Sequence, residues 1–304
     1  MSLETLSLHD LAALDSDIPL YAVIGCPVEH SLSPPMQLAA FATRHLPARY
    51  LKIHVPVEDL PGAVKTLQKK GFLGWNCTLP HKLEMVPLVH KLAESARQLQ
   101  AVNTISVEND QLVGFNTDGE GWVRAIREEF LLDVRDLRIL VLGTGGAGQA
   151  IATQAALEGC ERLVLVNRTP EKAEALKTSL LPFFQSTRLQ GSHARLKSMA
   201  WDEKDIAAEL DSIDLVVNCT SSGLKASDPA VLPTRILQPH LCVYDAIYKP
   251  NPTRLLESAR EAGAKTANGL SMLLHQGALA FEIWTGQPAP VEIMRSALKQ
   301  AATS

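Results

Sequence analysis

The run LRILVLGTGGAGQAIATQAALEG, Leu137 to Gly159, constrains the fold more than any other stretch of the chain. It reads as a strand over Ile139–Gly143, a glycine-rich turn, and a helix over Gly146–Glu158. Gly143, Gly145 and Gly148 fill a G-x-G-x-x-G pattern, with Gly146 between them. By itself the pattern also fits a generic tight turn between strand and helix. In this setting it reads as a dinucleotide-binding loop. Glycine lets the backbone approach a pyrophosphate, and the helix N-terminus offers free N–H groups and a positive dipole end to the anion.

The same alternation of short β-rich runs and helical stretches extends over most of the 304 residues. Further strands are expected at Leu20–Gly25, Tyr50–Val55, Trp75–Thr78, Thr104–Val107, Leu163–Asn167, Leu215–Cys219 and Cys242–Ile247. Helices are expected at Pro35–Leu46, Leu60–Lys70, Gly121–Phe130, Glu171–Leu180 and Pro252–Ala262. This order predicts an α/β fold with parallel sheets covered by helices. The length allows two domains, and the break falls near GFNTDGEG, Gly114–Gly121, where glycines flank polar residues. The chain ends in two amphipathic helical stretches, GLSMLLHQGALAFEIWTG and PVEIMRSALKQA.

Composition narrows the partners. A formal net charge of −4 gives no basic surplus for nucleic acid or an anionic membrane. Five scattered cysteines without a C-x-x-C argue against a zinc site or a disulfide framework, so no metal is expected. They suit a reducing, cytoplasmic setting. The start, MSLETLSLHDLAALDSD, has no basic opening and no continuous apolar core; it reads as a short amphipathic helix rather than a signal peptide.

The strand after the loop indicates which dinucleotide. An NAD site usually places Asp or Glu at its end, to accept from the ribose 2′-hydroxyl. Here the sequence is NRTPEK, with Asn167, Arg168, Thr169 and Lys172. A guanidinium can fork onto a 2′-phosphate, where a carboxylate would repel it. The alternative is that Arg168 and Lys172 are solvated residues of a helix start. With the loop upstream, NADP is expected.

Four polar clusters mark the first half: GCPVEHSLSPPM with Ser31 and Ser33, NCTLPHK with Asn76, Thr78 and Lys82, AVNTI with Asn103, and GFNTDG with Asn116 and Asp118. All lie at strand ends, where α/β sheets bind ligands. The serines can serve as helix caps or as donors to a substrate carboxylate. An isolated Asp-Gly is usually a turn. Lys82 and Asp118 are the pair suited to ketone reduction, with an ammonium to protonate the oxygen and a carboxylate to orient the alcohol. A structural salt bridge would explain the same two residues.

These motifs together resemble the shikimate dehydrogenase family, which includes quinate/shikimate dehydrogenases. GCPVEHSLSP is similar to its G-x-P-x-x-H-S-x-S-P, NCTLPHK to N-V-T-x-P-x-K, AVNT to A-V-N-T, and GFNTDGEG to G-x-N-T-D-x-x-G. GTGGAG, NRT, NCTSSG, YDAIYKPNPTRLL and NGLSMLLHQGALAFEIWTG also follow the family pattern, so the resemblance runs from about Tyr21 to Trp284. It implies an N-terminal mixed-sheet substrate domain, residues 1–117 and 269–304, and a Rossmann-type doubly wound NADP-binding domain, residues 118–268. It implies reversible NADP-dependent reduction of 3-dehydroshikimate to shikimate, a step of aromatic amino acid biosynthesis, by a monomer or homodimer.

By matched position, Ser31 and Ser33 would take the substrate carboxylate, and Asn76, Thr78, Asn103 and Gln276 its hydroxyls, with Tyr248 lining the pocket. Lys82 and Asp118 would be the catalytic pair. Gly143 would open the cofactor loop; Gly145, Gly146 and Ala147 would meet the pyrophosphate, and Asn167, Arg168, Thr169 and Lys172 the adenosine phosphate. Thr220, Ser221 and Gly269 would meet the ribose and nicotinamide end. Gln37 and Leu38 stand where the family commonly has H-N or H-Q, Gln100 where Gly is usual, and an Asp often found after N-V-T-x-P-x-K is replaced around His90. Residues 1–18 lie outside the resemblance. Two further readings remain: a quinate/shikimate dehydrogenase with broader use of acids or of NAD, and a non-catalytic NADP-binding regulatory paralogue. Retention of Lys82 and Asp118 speaks against the second, and Arg168 against NAD.

Overall fold

A computed structural model describes residues 4–184, 195–225 and 227–303 of the protein. The chain divides into two compact units, Met1–Thr117 with Leu273–Ser304, and Asp118–Met272. The first runs β1 (Thr5–Leu6), α1 (Leu8–Ala13), β2 (Leu20–Gly25), α2 (Ser33–Thr43), β3 (Arg49–His54), α3 (Leu60–Lys69), β4 (Phe72–Cys77), α4 (His81–Glu84), β5 (Lys91–Leu92), α5 (Glu94–Leu99), β6 (Thr104–Glu108) and β7 (Gln111–Phe115). The second holds α6 (Asp118–Phe130), β8 (Arg138–Leu142), α7 (Gly146–Glu158), β9 (Arg162–Asn167), α8 (Pro170–Phe184), β10 (Leu196–Ala200), α9 (Glu203–Leu210), β11 (Leu215–Asn218), β12 (Cys242–Asp245), α10 (Arg254–Glu261) and β13 (Lys265–Asn268). Two helices follow, α11 (Leu270–Thr285) and α12 (Val291–Thr303).

The first sheet is mixed, in the order β1-β3-β2-β4-β6-β7-β5. Strands β1 to β4 are parallel neighbours, while β6 is antiparallel to both β4 and β7. Side chains alternate across a strand, so register sorts the two faces. Ala22, Ile24, Ile53, Trp75 and Cys77 point into an apolar core shared with Leu60, Val64 and Leu67 of α3. Tyr21, Tyr50, Gly74, Asn76 and Thr104 share the opposite face. There Tyr21 stacks on Phe41 at 4.8 Å and meets Trp284 at 5.1 Å, and Phe41 meets Phe281 at 5.2 Å. The Trp284 indole N–H also donates to the Ile105 carbonyl at 2.8 Å. It reaches that oxygen only because residue 74 lacks a side chain, since a Cβ at Gly74 would overlap the indole and come within 2.7 Å of the same oxygen.

The second sheet is wholly parallel, in the order β10-β9-β8-β11-β12-β13. Its strands are apolar on both faces, as sheets covered on two sides require. In β8, Ile139 and Val141 join the core with Trp122, Ile126 and Ile151, while Leu140 and Leu142 join the one with Ile206, Leu255 and Leu256. Strand order reverses between β8 and β11, and ligands of open α/β sheets bind at such a point.

Several elements depart from expectation. Helix α6 begins at Asp118 rather than Gly121, β4 begins at Phe72 rather than Trp75, and β12 stops at Asp245 rather than Ile247. Strands β1, β5, β7, β10 and β13 and helices α4, α5 and α9 were not foreseen. Helix α11 is not amphipathic: Leu274, His275, Gln276, Gly277, Ala278, Ala280 and Phe281 are all buried. Its Gly277 lies against Met36 and Gln37 of α2 with no room for a Cβ. The expected N-terminal helix is α1, capped by Ser7 and Asp10. The first three residues lie outside the described residues.

Gly74→Ala is expected to lower the unfolding free energy by about 1–3 kcal/mol, the cost of overpacking a filled core. Urea denaturation followed by tryptophan fluorescence checks this; an unchanged midpoint would exclude the close approach of Trp284.

Candidate active site

The four polar clusters of the first half converge on one edge of the mixed sheet. Strands β2 and β4 run parallel and end there, β6 begins there, and β7 ends there, because Asn76 registers with Thr104 and Thr104 with Phe115. Burial then forces the polar side chains to satisfy one another. The Tyr50 hydroxyl donates to Asn76 Oδ1 at 2.6 Å, and Asn76 Nδ2 donates to Thr104 Oγ1 at 2.9 Å and to the Asn103 carbonyl at 3.2 Å. Asn103 Oδ1 accepts from Thr104 Oγ1 and from the Thr117 N–H, each at 2.9 Å, while its Nδ2 donates to Thr117 Oγ1 at 3.0 Å. Both asparagines are therefore engaged within the protein. Tyr50 and Thr117 were not singled out from sequence. The repeated Asn-Thr step at 103–104 and 116–117 was the available signal for Thr117; the first opens β6 and the second follows β7, its partner strand. Burial pushes the Tyr50 phenol well above its usual pKa, which keeps it a donor.

Thr78 follows β4, half-buried, with its N–H on the Ile24 carbonyl at 2.9 Å. Lys82, half-buried on α4, is tied in through its carbonyl, which accepts from the Val102 N–H at 2.8 Å. Its neighbour His81 is fully buried, with Nε2 2.8 Å from the Val55 carbonyl; burial lowers its pKa, so the ring stays neutral and Nε2 carries the proton. Ser33 is buried in the first turn of α2, whose cap residue is Leu32. Ser31 Oγ accepts from the Ser33 N–H at 3.3 Å, so this serine serves the backbone locally while staying half-exposed. Gln276 is buried on α11, its Nε2 on the Leu273 carbonyl at 2.8 Å. Asp118 is buried and opens α6, directly after the Thr117 N–H that Asn103 holds. A carboxylate in the first turn is favoured by the helix dipole.

In the second unit the remaining candidates line the carboxyl edge of the parallel sheet. Gly143 has φ +89°, which glycine adopts freely, and a Cβ on it would lie 2.9 Å from Thr220 Cγ2. The loops after β8 and β11 are therefore in mutual contact. A Cβ on Gly148 would overlap the Gly143 carbonyl, so α7 presses directly on the strand end. Gly145 has no atom within 4 Å of its Cβ position. That open backbone, with Gly146 and Ala147 opening α7, fits a pyrophosphate. The Asn167 amide donates to Thr144 Oγ1 and its Oδ1 accepts the Thr169 N–H at 3.1 Å, bracing the turn beside the loop. Arg168, Thr169 and Lys172 are exposed at the start of α8, as a site for a 2′-phosphate requires.

Thr220 is oriented from below. Its hydroxyl and N–H both bond Asn218 Oδ1, at 2.8 and 3.0 Å, and Asn218 Nδ2 donates to Asp245 Oδ1 at 2.9 Å. Thr253 Oγ1 donates to the other Asp245 oxygen at 2.6 Å. Asp245 is fully buried, and that burial raises its pKa against the pull of these donors. Neither Asn218 nor Asp245 was singled out from sequence, although both lie in quoted motifs. Ser221 is exposed, and half-buried Tyr248 has its pKa raised by burial. Gly269 packs on the Ala246 backbone without room for a Cβ.

A parallel sheet of this order, with a glycine loop at its switch point, defines a Rossmann-type dinucleotide-binding protein. Residues 23–105 match the shikimate dehydrogenase substrate binding domain, 125–226 the shikimate / quinate 5-dehydrogenase model, and 269–299 the shikimate 5′-dehydrogenase C-terminal domain. The shikimate dehydrogenase (NADP(+)) of Methanopyrus kandleri is 40% identical over 288 residues, 94% of this chain and 97% of that protein. That of Desulfitobacterium hafniense is 42% identical over 282 residues, 92% and 97% of the two chains. The crystal structure of shikimate 5-dehydrogenase from Thermus thermophilus, in complex with NADP(H) and shikimate, superposes with a TM-score of 0.82 at 33% identity, covering 93% of this chain and 100% of that one. The chain belongs to the shikimate dehydrogenase family.

Two positions where the sequence departs from the family pattern have structural explanations. Gln37 is fully buried and donates from Nε2 to the Gly277 carbonyl at 2.8 Å, linking α2 to α11 beside Gln276. Gln100 ends α5 in the left-handed conformation, φ 49°, ψ 35°, which explains why glycine is usual there. Gln100→Gly is expected to raise stability by about 1 kcal/mol, by relieving the left-handed strain of a residue with a Cβ. Thermal denaturation tests this; a fall in midpoint would mean that the exposed bond from Gln100 Nε2 to the Arg97 carbonyl outweighs the strain.

Proposed function

We propose that this chain catalyses the reversible NADP-dependent reduction of 3-dehydroshikimate to shikimate, with residues 1–117 and 269–304 binding the substrate and residues 118–268 the cofactor. The observation that carries this is the convergence of Ser31, Ser33, Asn76, Thr78, Lys82 and Asn103 on one sheet edge, from clusters far apart in sequence. A polyol site accounts for three distinct hydrogen-bonding chemistries in the seven residues of NCTLPHK, which a plain strand end does not need. NADP, when bound, supplies the hydride donor or acceptor. Lys82 Nζ gives the proton to the substrate oxygen as negative charge develops there and takes it back in the reverse direction, and the Asp118 carboxylate orients and polarises the alcohol. Ser31 and Ser33 hold the carboxylate. Asn76 and Asn103, fixed by their own network, present a rigid floor for the hydroxyls together with Thr78, Gln276 and Tyr248. Gly143 to Ala147 cradle the pyrophosphate; Asn167, Arg168, Thr169 and Lys172 take the adenosine phosphate; Thr220, Ser221 and Gly269 face the ribose and nicotinamide end. We place this activity in the cytoplasm, in a monomer or homodimer; five free cysteines support a reducing compartment.

The test follows NADPH absorbance with shikimate or quinate, and NADP or NAD. Quinate is included because Gln37 lies one helical turn beyond Ser33. Wild type is expected to oxidise shikimate with NADP, and Lys82→Ala to lose about 100- to 10,000-fold in kcat, the usual scale of general acid–base help. Turnover of neither acid by wild type sinks the enzymatic reading, and full activity in Lys82→Ala sinks the proton-donor assignment. Arg168→Ala is expected to raise KM for NADP far more than KM for NAD, because only NADP carries the phosphate that the guanidinium clamps. Equal changes would contradict that clamp.

A further inference from the structure

A second chemical constellation stands beside the candidate active site, on side chains that the proposed dehydrogenase chemistry does not use. Cys26 follows β2 directly, and His54 closes β3 in register with Gly25. Cys26 Sγ lies 3.5 Å from His54 Nε2, and His54 Nδ1 lies 3.0 Å from Glu29 Oε1. The other Glu29 oxygen accepts the Val28 N–H at 2.9 Å, which fixes the carboxylate. A carboxylate on Nδ1 holds the proton on that nitrogen, so the Nε2 lone pair faces the thiol. This is the order nucleophile, base, orienting acid that activates cysteine in covalent catalysis. The imidazole links the thiol and the carboxylate through its two nitrogens, and among the described residues no set of His, Cys, Asp or Glu is placed to hold a metal ion. The side chains of His54 and Glu29 are 38% and 45% exposed, and Cys26 is half-buried, so small molecules reach them.

We propose that Cys26, His54 and Glu29 form a reactive-thiol site that takes low-molecular-weight disulfides by thiol–disulfide exchange. His54 Nε2 accepts the Cys26 proton. The thiolate attacks one sulfur of the disulfide, a new S–S bond forms as the old one breaks, and the departing thiolate takes the proton back from the imidazolium. Cys26 is oxidised to the mixed disulfide and half of the reagent is reduced to thiol. The Lys52 ammonium, 2.9 Å from the Glu29 carbonyl, adds positive charge from β3, while His81 of α4, which has Glu84 beside it, also interacts with His54. The other four thiols are poor competitors, because burial raises the pKa of Cys77, Cys219 and Cys242 and pushes Cys160 up to about 12.

The site is coupled to the candidate substrate floor. The Cys26 N–H donates to the Leu79 carbonyl at 3.1 Å, and a Cβ at Gly25 would overlap the Thr78 methyl, so no slack separates this segment from NCTLPHK. An adduct on Cys26 displaces that segment and weakens shikimate binding, a consequence that rests on the proposed function.

The experiment incubates the native full chain with glutathione disulfide, followed by intact-mass measurement and peptide mapping. One adduct is expected, on Cys26, absent in Cys26→Ser and reversed by dithiothreitol. His54→Asn is expected to slow the reaction by about tenfold or more, and Glu29→Gln, at an exposed position that leaves folding intact, to slow it in the same direction. Modification of another cysteine first, or unchanged rates in both variants, overturns the proposal. KM for shikimate is expected to rise several-fold in the adduct and to return with dithiothreitol; an unchanged KM at full modification refutes the coupling. An untreated protein that does not oxidise shikimate would refute the proposed function, while the mass map would still decide the thiol site.

Discussion

The Asn76 carboxamide is the point on which the substrate half is built. Its oxygen accepts from Tyr50 and its nitrogen donates to Thr104 and to the Asn103 backbone, so one side chain ties β3, β4 and the start of β6 together below the sheet edge. Burying an amide without partners costs on the order of 1–3 kcal/mol; meeting every demand in turn leaves only one arrangement of the neighbours. Asn103 extends the constraint to Thr117, and the next residue is Asp118. The position from which the candidate catalytic carboxylate starts is thereby set by hydrogen bonds that begin four strands away in the chain. A network satisfied in this way is rigid before any ligand arrives, which suits hydroxyl recognition, where misplacement by a fraction of an ångström matters.

The nucleotide half solves a different problem, that of bringing backbone close to backbone. Gly148 sits on the Gly143 carbonyl and Gly143 sits on Thr220, so the turn after β8, the first residues of α7 and the turn after β11 form one contiguous surface at the switch point. Beneath it Asp245, fully buried, receives hydrogen bonds from Asn218 and Thr253 and passes orientation up to the Thr220 hydroxyl. Apolar strands supply the cohesion on both faces, and the few polar groups among them mark where ligand chemistry is staged. The contrast with the substrate half is physical. There the proposed polyol site rests on side-chain amides and hydroxyls, whereas here the proposed phosphate site offers bare N–H groups and a helix end.

The sequence made some of this plain and hid the rest for identifiable reasons. The strand and helix around the glycine loop were legible to the residue at α7, because an apolar run, three spaced glycines and an alanine-rich helix all agree. Strands β7 and β13 were missed because QLVGF and KTAN carry polar or small residues that a propensity reading assigns to loops; their neighbours, not their composition, make them strands. Helix α6 begins at Asp118 because a carboxylate at a helix start is favourable, whereas Asp-Gly on its own reads as a turn. The candidate residues of the substrate half were visible as polar clusters at strand ends. That Asn76 and Asn103 spend their hydrogen bonds on Tyr50, Thr104 and Thr117 was not visible, since those contacts depend on strand order and register, parallel from β3 through β2 to β4 and antiparallel from β4 to β6 and β7.

Trp284 resting on Gly74 has a consequence for how the chain is made. The face of the first sheet that bears Tyr21, Tyr50 and Asn76 is covered by α2, with Phe41, and by the much later α11, with Phe281 and Trp284. During synthesis from the N-terminus, those strands emerge long before their lid does, and all of Asp118–Met272 is translated in between. The strands that bear Tyr21 and Tyr50 thus have Phe41 as partial aromatic cover until Phe281 and Trp284 have been translated.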